Sequence, residues 1–503
     1  MSRVKEKERA KAGRSRPARS YFRELKKAAA LRKDPVLKTV HGLAVAGGVE
    51  VYLVGGLIRN LLLSAEIIPD YDFAIEGDAG VFSKKTAALL KGTAFILDRK
   101  TPSYRVVAGR GARKLTVDLS PVKKGGIVPD LRKRDFTVNA AAIGMRALFE
   151  GERPLLDPLG SVADAGRKTL RAASATALKD DPLRCLRAVR LSQQYGLKID
   201  PATIESIKAS ARLLKRTSAE RIRDELVIVF ANRGTAKSVS LLYELGIMKA
   251  ILPGIAGWGD VEGYDLLTHS LKTLAEAEKI LSSLSSRTFP KFHKELRARF
   301  DGPAGPFSRG AFLKLCAFFH DTGKPHTISR EDGRLRFIGH DFEGSRAAKE
   351  LLMRLKFSRA LINEAANLIR NHHRVFMLAG LEDRTPRAKA HLIRASGDEA
   401  AIDLLLLSLA DARATRGGED KDLFKLVKEM LDFYYNVYKK KRPRPLLNGN
   451  EIMKVFSVPQ GKLVGEIMRK VNEGVEAGVI QNKRQALQYV RDWLQEKMPE
   501  NKS

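Results

Sequence analysis

The feature that most constrains the fold is a double glycine that follows an apolar run. Residues 51–54 are apolar and mostly β-branched or aromatic, which predicts a short buried strand. Gly55 and Gly56 then allow the backbone to turn and to approach a ligand closely. Residues 57–63 predict a helix, whose first backbone amides would face an anion. The pattern indicates a strand, a tight turn and a helix that together form a phosphate cradle.

Two aspartates follow this unit and alternate around Tyr71. On a strand, the carboxylates of Asp70 and Asp72 would point to the same face. Two carboxylates beside a phosphate cradle are what a two-metal phosphoryl-transfer site needs. The competing interpretation is a plain strand with solvent-exposed aspartates, since Asp-x-Asp is a common string.

Two further motifs follow in an order that carries a family resemblance. Residues 133–140 read Lys-Arg-Asp-Phe-Thr-Val-Asn-Ala, and residues 180–190 begin Asp-Asp-Pro-Leu-Arg. With the double glycine and the Asp-x-Asp string, residues 51–230 resemble the bacterial (class II) tRNA nucleotidyltransferase and poly(A) polymerase family. The CCA-adding members of this family build tRNA 3′ ends. The resemblance implies nucleotide addition, in which a 3′-hydroxyl attacks an α-phosphate and expels pyrophosphate with metal ions at both oxygens.

The resemblance also assigns roles near the cradle. Asp70 and Asp72 match the metal-binding pair, for which Mg²⁺ is the expected cofactor, since it prefers a few hard oxygen ligands. Asp118 is a plausible third catalytic carboxylate on a neighbouring strand, or else a strand-end residue without a metal. The triphosphate would be held by Gly55, Gly56 and Arg59. Asn60 stands where the family usually has Asp.

The second motif is expected to contact the ribose. By resemblance, Arg134 and Asp135 recognise a 2′-hydroxyl, which can donate to Asp and accept from Arg. Lys133 occupies a position where the family has Arg. Because Lys lacks the bidentate fork of Arg, a simple phosphate contact is expected there.

The third motif is expected to select the nucleobase without a nucleic-acid template. Asp181 and Arg184, three residues apart on a helix, lie on the same face. The carboxylate would accept from the exocyclic amine of C or A, and the guanidinium would donate to ring acceptors. Arg187 continues this stripe toward nucleotide or tRNA phosphates. The alternative is a helix-capping Asp with an i,i+3 salt bridge.

The C-terminal half carries most of the histidines. The string His320-Asp321-Thr-Gly-Lys resembles the signature of HD phosphohydrolases. The resemblance implies a site for a divalent metal. Histidine nitrogens and carboxylate oxygens are suitable ligands for such an ion. Its other expected ligands are His269 and Asp411, with His340, His372 and His373 as further candidates. The competing interpretation is a set of unliganded histidines.

Charge and cysteine content restrict the class of protein. The formal net charge of +33 over 503 residues favours polyanionic partners, and nucleic acid is the simplest of these. An anionic membrane surface is the rival, but no strongly amphipathic basic helix accompanies a hydrophobic anchor. No apolar run approaches the ~20 residues of a membrane span. With no apolar signal segment and two isolated cysteines, a cytoplasmic location is expected.

The chain is long enough for several domains, and its fold class is predicted as α+β. A polymerase-β-like head with a small mixed sheet would precede all-helical neck, HD and tail domains. The predicted divisions are a basic, partly disordered arm (1–40), the head (41–172), the neck (173–255), the HD-like domain (256–425) and the tail (426–503). Within them, residues 217–220 predict a capping box, residues 282–310 a loop, and residues 21–31 a helix.

The best interpretation is a template-independent enzyme that adds C, A or both to tRNA 3′ ends from CTP and ATP. Only nine residues separate Ser120 from Asp130, and by resemblance such a short connection favours a CC-adding subtype. A poly(A) polymerase is the alternative within the family. From another class, an HD phosphohydrolase with an RNA-binding head is the alternative. A pure RNA-binding protein is disfavoured by the carboxylates, and the oligomeric state is left open.

Overall fold

The computed structural model describes residues 31–66, 70–98, 102–109, 115–123, 125–151, 155–440, 446–476 and 479–497. The chain forms two compact units. The first ends at Val427 but excludes Arg384–His391, which belongs with the second unit from Lys428 onward. Most of the predicted basic arm, including the predicted helix at residues 21–31 up to residue 30, lies outside the described residues. The arm therefore stays a prediction, although its last residues enter a helix at Pro35.

A mixed sheet of seven described strands organises the start of the first unit. Its spatial order is β3-β4-β5-β2-β1-β6-β7. Only β2 and β5 pair in parallel, and the other neighbouring strands are antiparallel. The strands are β1 Glu50–Val54, β2 Asp70–Glu76, β3 Thr93–Asp98, β4 Ser103–Ala108, β5 Leu115–Pro121, β6 Ala142–Gly144 and β7 Leu155–Leu156. The predicted α+β class with a small mixed sheet is confirmed.

The two faces of this sheet differ in what covers them. The larger core packs on one face and includes Leu53, Phe73 and Val117. A smaller apolar cluster, which includes Ala74 and Leu131, covers part of the other face. Because strand side chains alternate, this second face is the one that carries Asp70 and Asp72. The helices around the sheet are α1 Pro35–Gly47, α2 Gly56–Leu63, α3 Ala79–Leu89, α4 Ile127–Arg132, α5 Met145–Glu150 and α6 Ser161–Gly166.

The next segment is helical, with one exception to the prediction of a wholly helical region. The two-residue strands β8 Thr169–Leu170 and β9 Lys198–Ile199 pair in parallel. The predicted capping box is also wrong, since Ser218 precedes its helix without a side-chain cap hydrogen bond. The helices are α7 Ala177–Asp180, α8 Leu183–Tyr195, α9 Pro201–Ser210, α10 Ala219–Ala231, α11 Thr235–Glu244 and α12 Ile247–Ile251, with 3₁₀ turns at Thr137–Asn139, Ala211–Arg216 and Pro253–Ile255.

The rest of the first unit is a helical bundle with short hairpins. The prediction of a loop over residues 282–310 is wrong, because this segment contains a helix and a hairpin of two short strands. Arg299 on that helix donates to the buried Asp403, a contact between residues far apart in sequence. The elements up to residue 432, of which α20 and α22 belong partly to the second unit, are α13 Leu266–Ser282, α14 His293–Asp301, β10 Pro303–Ala304, β11 Phe307–Ser308, α15 Arg309–Phe319, α16 Lys324–Thr327, β12 Ser329–Glu331, β13 Arg334–Arg336, α17 His340–Arg354, α18 Arg359–Asn371, α19 Arg374–Ala379, α20 Pro386–Ser396, α21 Ala400–Arg416 and α22 Lys421–Asp432.

The second unit has an apolar core of its own, which includes Ile452, Ile467 and Val490. A capping box formed by Asn448 and Glu451 begins its first full helix. Its elements are a π-helix at Phe433–Tyr438, then α23 Gly449–Phe456, α24 Lys462–Glu476 and α25 Lys483–Lys497. Among the described residues of the whole chain, no helix combines the length and the apolar character that crossing a membrane requires.

Candidate active and metal-binding sites

Three carboxylates meet on adjacent strands of the sheet. Asp70 and Asp72 lie on β2, and Asp72 pairs in register with Asp118 on β5. Burial, followed by the charges of Asp70 and Asp118, raises the pKa of Asp72 to about 6. Burial is the larger cause, and the part due to the two neighbouring carboxylates is a repulsion that a bound cation would relieve. The all-oxygen donor set fits a hard divalent cation.

The double glycine approaches this carboxylate group closely. Gly55 has φ +76°, and a Cβ atom there would lie 2.3 Å from Oδ2 of Asp72. The N–H of Gly56, the first residue of α2, points at the same oxygen over a long 3.5 Å. Glycine is therefore required at position 55 both by the backbone conformation and by the space. The turn places the first amides of α2 next to the carboxylates.

A side chain that sequence reasoning missed lies against the third carboxylate. Arg105 on β4 pairs in register with Asp118. Its Nε donates to Oδ1 over 2.7 Å and its Nη2 donates to Oδ2 over 2.6 Å. The hydrogen bonds to Asp118 raise the pKa of Arg105 despite the opposing effect of burial. The sequence offered no signal for this pair, because it depends on the register of two strands.

Arg59 points from α2 to a cluster of neutral acceptors. Its Nη2 donates to the hydroxyl of Tyr195 over 2.6 Å, and its guanidinium lies 4.5 Å from the centre of that ring. Its Nη1 donates to Oδ1 of Asn139 over 3.3 Å. The amide oxygen of Asn60 accepts from Nε and Nη2 at 3.2 and 3.0 Å. Asn60 thus orients Arg59 although it carries no charge, and Tyr195 is a partner that the sequence did not reveal.

Asp135 is buried within a dense set of donors. It accepts from the N–H of Phe136 over 2.8 Å, from Nδ2 of Asn139 over 2.9 Å and from Nη1 of Arg187 over 3.3 Å. Burial alone would raise the pKa of Asp135, but these partners, Arg187 first, outweigh it and hold the pKa below its usual value. Arg187 also donates to the buried Glu225 over 3.1 Å, so it links Asp135 to α10.

Arg134 and Lys133 lie beside this group in different environments. The guanidinium of Arg134 lies 3.7 Å from Asp130, and its positive charge lowers the pKa of Asp72. Its Nε is buried and has no hydrogen-bond partner among the described residues. The side chain of Lys133 is exposed, so it is accessible to a phosphate.

Arg184 binds backbone carbonyls and not the carboxylate three residues before it. Its Nη1 donates to the carbonyls of Arg134 and Ala177, both over 3.2 Å. Its Nη2 donates to the carbonyl of Lys133 over 3.2 Å. These bonds tie α8 to the segment that precedes Asp135.

Asp181 has separate partners. Its Oδ1 accepts from the N–H of Leu183 over 3.3 Å, as a helix cap does, and its Oδ2 accepts from Arg221 over 2.8 Å. The i,i+3 salt bridge considered as an alternative is therefore replaced by a pair with α10. Next to Asp181 is a groove of about 470 Å³. It is lined mainly by charged and hydroxyl side chains, among them Lys179, Asp180, Arg216, Thr217, Ser218 and Arg221.

A second cluster of ligands lies at the end of α15. Nε2 of His269 lies 3.3 Å from Nε2 of His320, 3.2 Å from Oδ2 of Asp321 and 3.1 Å from Oδ1 of Asp411. Nε2 of His320 lies 3.2 Å from the same oxygen of Asp321. The ligand atoms of His269, His320 and Asp411 all lie within 4.8 Å of one another. Nitrogen and oxygen ligands at these distances fit a divalent metal ion.

Asp321 also faces two histidines on its other side. Its Oδ1 lies 3.4 Å from Nε2 of His340 and 3.7 Å from Nε2 of His372. The same two ring nitrogens lie 3.2 Å apart. His373 packs its ring 5.3 Å from that of His340 and lines the adjacent cavity of about 370 Å³. Among the described residues, His373 is not part of a group with converging ligand atoms.

Backbone carbonyls orient the histidine rings. Nδ1 of His320 lies 2.9 Å from the carbonyl of Ala317, and Nδ1 of His372 lies 2.6 Å from that of Ile369. Such contacts fix the ring so that Nε2 faces the cluster. Burial would lower the pKa of His320, but Asp321 and Asp411 raise it to about 10.

Three profiles of known families match the chain. They are the "Poly A polymerase head domain" over residues 51–171, the "Probable RNA and SrmB- binding site of polymerase A" over residues 196–258, and the "HD domain" over residues 266–416. The three matches follow one another along the chain without overlap. The first covers the carboxylates and the last covers the histidine cluster.

Curated proteins from several bacteria are similar over most of their length. An A-adding tRNA nucleotidyltransferase of Deinococcus radiodurans is 31% identical, with 88% of this chain and 95% of that protein aligned. A CC-adding tRNA nucleotidyltransferase of Thermus thermophilus is 29% identical over 88% of this chain and 94% of that protein. A multifunctional CCA protein of Xanthomonas campestris is 26% identical over 74% of this chain and 87% of that protein.

Solved structures agree on the fold. The CCA-adding enzyme of Thermotoga maritima in complex with tRNA aligns with a TM-score of 0.58 at 21% identity, over 93% of this chain and 98% of that one. A CCA-adding enzyme with CTP aligns with the same TM-score and the same coverage. At this identity the likeness concerns the fold.

Proposed function

The chain belongs to the bacterial tRNA nucleotidyltransferase and poly(A) polymerase family, and we propose that it adds C, A or both to tRNA 3′ ends without a nucleic-acid template. The reaction is attack of the terminal 3′-hydroxyl on the α-phosphate of CTP or ATP, with release of pyrophosphate. The observation that supports this best is the group of three carboxylates next to Gly55 on one face of the sheet.

The head residues have distinct roles in this proposal. Asp70, Asp72 and Asp118 hold Mg²⁺, which when bound supplies positive charge at the attacking and leaving oxygens. The amide of Gly56 and the guanidinium of Arg59 bind and orient the triphosphate. This orientation matters because positioning supplies much of the rate in phosphoryl transfer, where the protein does little covalent chemistry.

Ribose recognition is assigned to the second motif. Asp135 is ionised and prearranged by Asn139 and Arg187, so it can accept from a 2′-hydroxyl without first being reoriented. Arg134 has a buried Nε without a partner in the described part of the chain, which supports a contact with bound nucleotide. The exposed Lys133 is assigned to a phosphate.

Base selection is assigned to Asp181 and Arg184, both near the ribose motif. Arg184 is fixed on the carbonyls of Lys133 and Arg134, so its position depends on the ribose site. We expect Arg184→Ala to reduce the preference for CTP and ATP over UTP and GTP, since such base contacts are worth roughly 1–3 kcal/mol. Incorporation of each nucleotide measures the preference, and Arg212→Ala on the same neck segment is the control. Unchanged preferences in Arg184→Ala would reject its role at the base.

The subtype is assigned to C addition. The connection from β5 to α4 spans only residues 122–126, of which residue 124 is outside the described part. We propose CTP addition with weak ATP addition. The deciding assay offers tRNA that lacks CCA, tRNA that ends in CC, and a generic RNA, each with labelled CTP or ATP. AMP addition to tRNA ending in CC without any use of CTP would reject C addition. Long adenylate tails on generic RNA would identify a poly(A) polymerase.

A second function is supported by the histidine cluster. We propose that His269, His320, Asp321 and Asp411 bind a divalent metal, with His340 and His372 as further ligands, and that the site hydrolyses phosphoesters. The adjacent cavity of about 370 Å³ is lined by Lys324 and Arg416, whose charges suit a phosphoryl group. His373 is assigned to the cavity wall. An alternative, with hydrolysis as the main activity and the head used only for RNA binding, predicts no nucleotide incorporation.

The net charge supports a tRNA partner, and the two cysteines support a cytoplasmic location. A net charge of +33 suits a tRNA partner, whose phosphates a basic surface attracts. Cys185 and Cys316 are both buried and unpaired, which is typical of a reducing compartment. We therefore propose a cytoplasmic location.

A further inference from the structure

We propose that Arg105 competes with the divalent cation for the carboxylate of Asp118. This inference rests on the proposed metal role of the three head carboxylates. It assigns a function to a side chain on β4, a strand to which no site residue has been assigned. In the proposal, Arg105 occupies the third carboxylate until a cation displaces it.

The geometry leaves both carboxylate oxygens engaged. Arg105 and Asp118 are directly opposed on antiparallel strands, and the guanidinium donates one hydrogen bond to each oxygen. This fork-to-fork arrangement is the most specific contact that Arg makes with a carboxylate. A cation that approaches the same edge of the carboxylate must displace at least one of the two donors, because the remaining lone pair of each oxygen points away from that edge. The arginine and the cation therefore cannot both use the carboxylate fully.

The charges of the neighbouring strands point the same way. Asp70 and Asp72 lie on β2, on one side of the strand that carries Asp118, and Arg105 lies on β4, on its other side. Arg105 thus offsets part of the negative charge that would attract a divalent cation. Its removal should leave a more negative site with a free third ligand.

Exposure allows Arg105 to leave. Its side chain is 39% exposed and that of Asp118 is 21% exposed, so solvent reaches the pair. Water can therefore replace the hydrogen bonds of both partners when the pair opens. A role in stability alone would not change the affinity for a cation.

The test is Mn²⁺ binding to the full chain, measured by electron paramagnetic resonance of free Mn²⁺. Head-bound Mn²⁺ is defined as the fraction lost in Asp70→Asn with Asp72→Asn, which separates it from ions at the histidine cluster. We expect Arg105→Met to tighten head-bound Mn²⁺ several-fold, and Arg105→Lys, which keeps the charge without the fork, to have a smaller effect. Arg146→Met is the matched control, since Arg146 on α5 pairs with Glu50 of β1 over 3.5 Å and both side chains are similarly exposed.

Three outcomes would overturn the proposed competition between Arg105 and the cation. Unchanged or weaker head-bound Mn²⁺ in Arg105→Met, with a thermal unfolding midpoint like that of the unaltered protein, would overturn the competition. Equal tightening in Arg146→Met would reduce the effect to net charge and would also overturn it. If neither the unaltered protein nor Arg105→Met loses Mn²⁺ on substitution of Asp70 and Asp72, the proposed metal role itself fails, and the inference fails with it.

Discussion

The two candidate metal sites of the first unit are built in different ways. In the head, the carboxylates are placed by strand register, and an arginine occupies one of them. In the HD region, ligands from several helices converge, and three of their ligand atoms lie within 4.8 Å of one another. The histidine cluster is therefore close to a coordination geometry. The three head carboxylates supply only part of a coordination shell, and a bound nucleotide would have to supply further ligands.

The difference follows from the ligand types. Histidine rings fixed by backbone carbonyls have few conformations, so helix packing alone can bring their nitrogens together. Carboxylates on neighbouring strands repel one another and stay partly solvated. A site of the first kind suits a resident ion held by nitrogen and oxygen, and a site of the second kind suits Mg²⁺, which keeps several waters and binds with its substrate.

The largest expected effect separates the two sites by activity. Asp70→Asn with Asp72→Asn should reduce nucleotide incorporation by at least about a thousandfold, because metal stabilisation of several kcal/mol corresponds to several factors of ten in rate. Labelled CTP incorporation into tRNA measures the loss. Glu205→Gln, an exposed carboxylate on α9, is the control. Substantial incorporation by a folded double variant would remove the head carboxylates from catalysis.

The next largest effect concerns metal binding by the histidine cluster. His320→Ala with Asp321→Ala should remove bound metal from the HD region and leave nucleotide incorporation nearly unchanged, because the two clusters share no ligand. Elemental analysis and the incorporation assay are run on the same preparation, with His326→Ala as a control from outside the cluster. Because Asp321 is buried beside Lys324, Asp411→Asn serves as a milder second variant. Unchanged metal content in both variants would reject the cluster as a metal site, and lost incorporation would reject the independence of the sites.

The smallest effect tests how much ionisation of the buried Asp72 destabilises the fold. Burial and the neighbouring carboxylates raise the pKa of Asp72 from 3.8 to about 6. A raised carboxyl pKa gives stability that is full below about pH 4 and is lost as the pH rises through about 6. At about 1.4 kcal/mol per pKa unit, the unaltered protein without metal should therefore lose roughly 2–3 kcal/mol more of its unfolding free energy between pH 4 and 7.5 than Asp72→Asn does.

Urea unfolding in the presence of a chelator measures this difference at both pH values. Glu205→Gln should follow the unaltered protein, because its side chain is exposed. Parallel curves for the unaltered protein and Asp72→Asn would show that ionisation of Asp72 costs nothing. The three head carboxylates would then resemble the histidine cluster, in that the fold would hold them together without loss of stability.

Local patterns predicted the parts of the molecule that depend on neighbours in sequence. The strand before Gly55, the helix after it and the common face of Asp70 and Asp72 follow from side-chain periodicity and glycine chemistry, and all are present. The convergence of His269 with Asp411 was expected from a family resemblance, since the two residues are far apart in sequence. Periodicity alone would not have brought them together.

The features that the sequence did not reveal depend on distant pairings. Arg105 meets Asp118 only through the register of two strands, and Tyr195, the last residue of α8, meets Arg59 across 136 positions of sequence. For the same reason, Asp181 pairs with the distant Arg221 and not with Arg184, three residues away. Helix α14 within the supposed loop likewise makes its buried ion pair with a residue about a hundred positions away.

Asn60 has a consequence for how the protein meets a highly charged ligand. The three side chains that accept hydrogen bonds from Arg59 in the described part of the chain, those of Asn60, Asn139 and Tyr195, are all neutral. A carboxylate at position 60 would orient the guanidinium equally well but would cancel much of its long-range field. With an amide, the field of Arg59 reaches outward, so capture of a nucleotide should be fast in dilute salt and should slow as ionic strength rises.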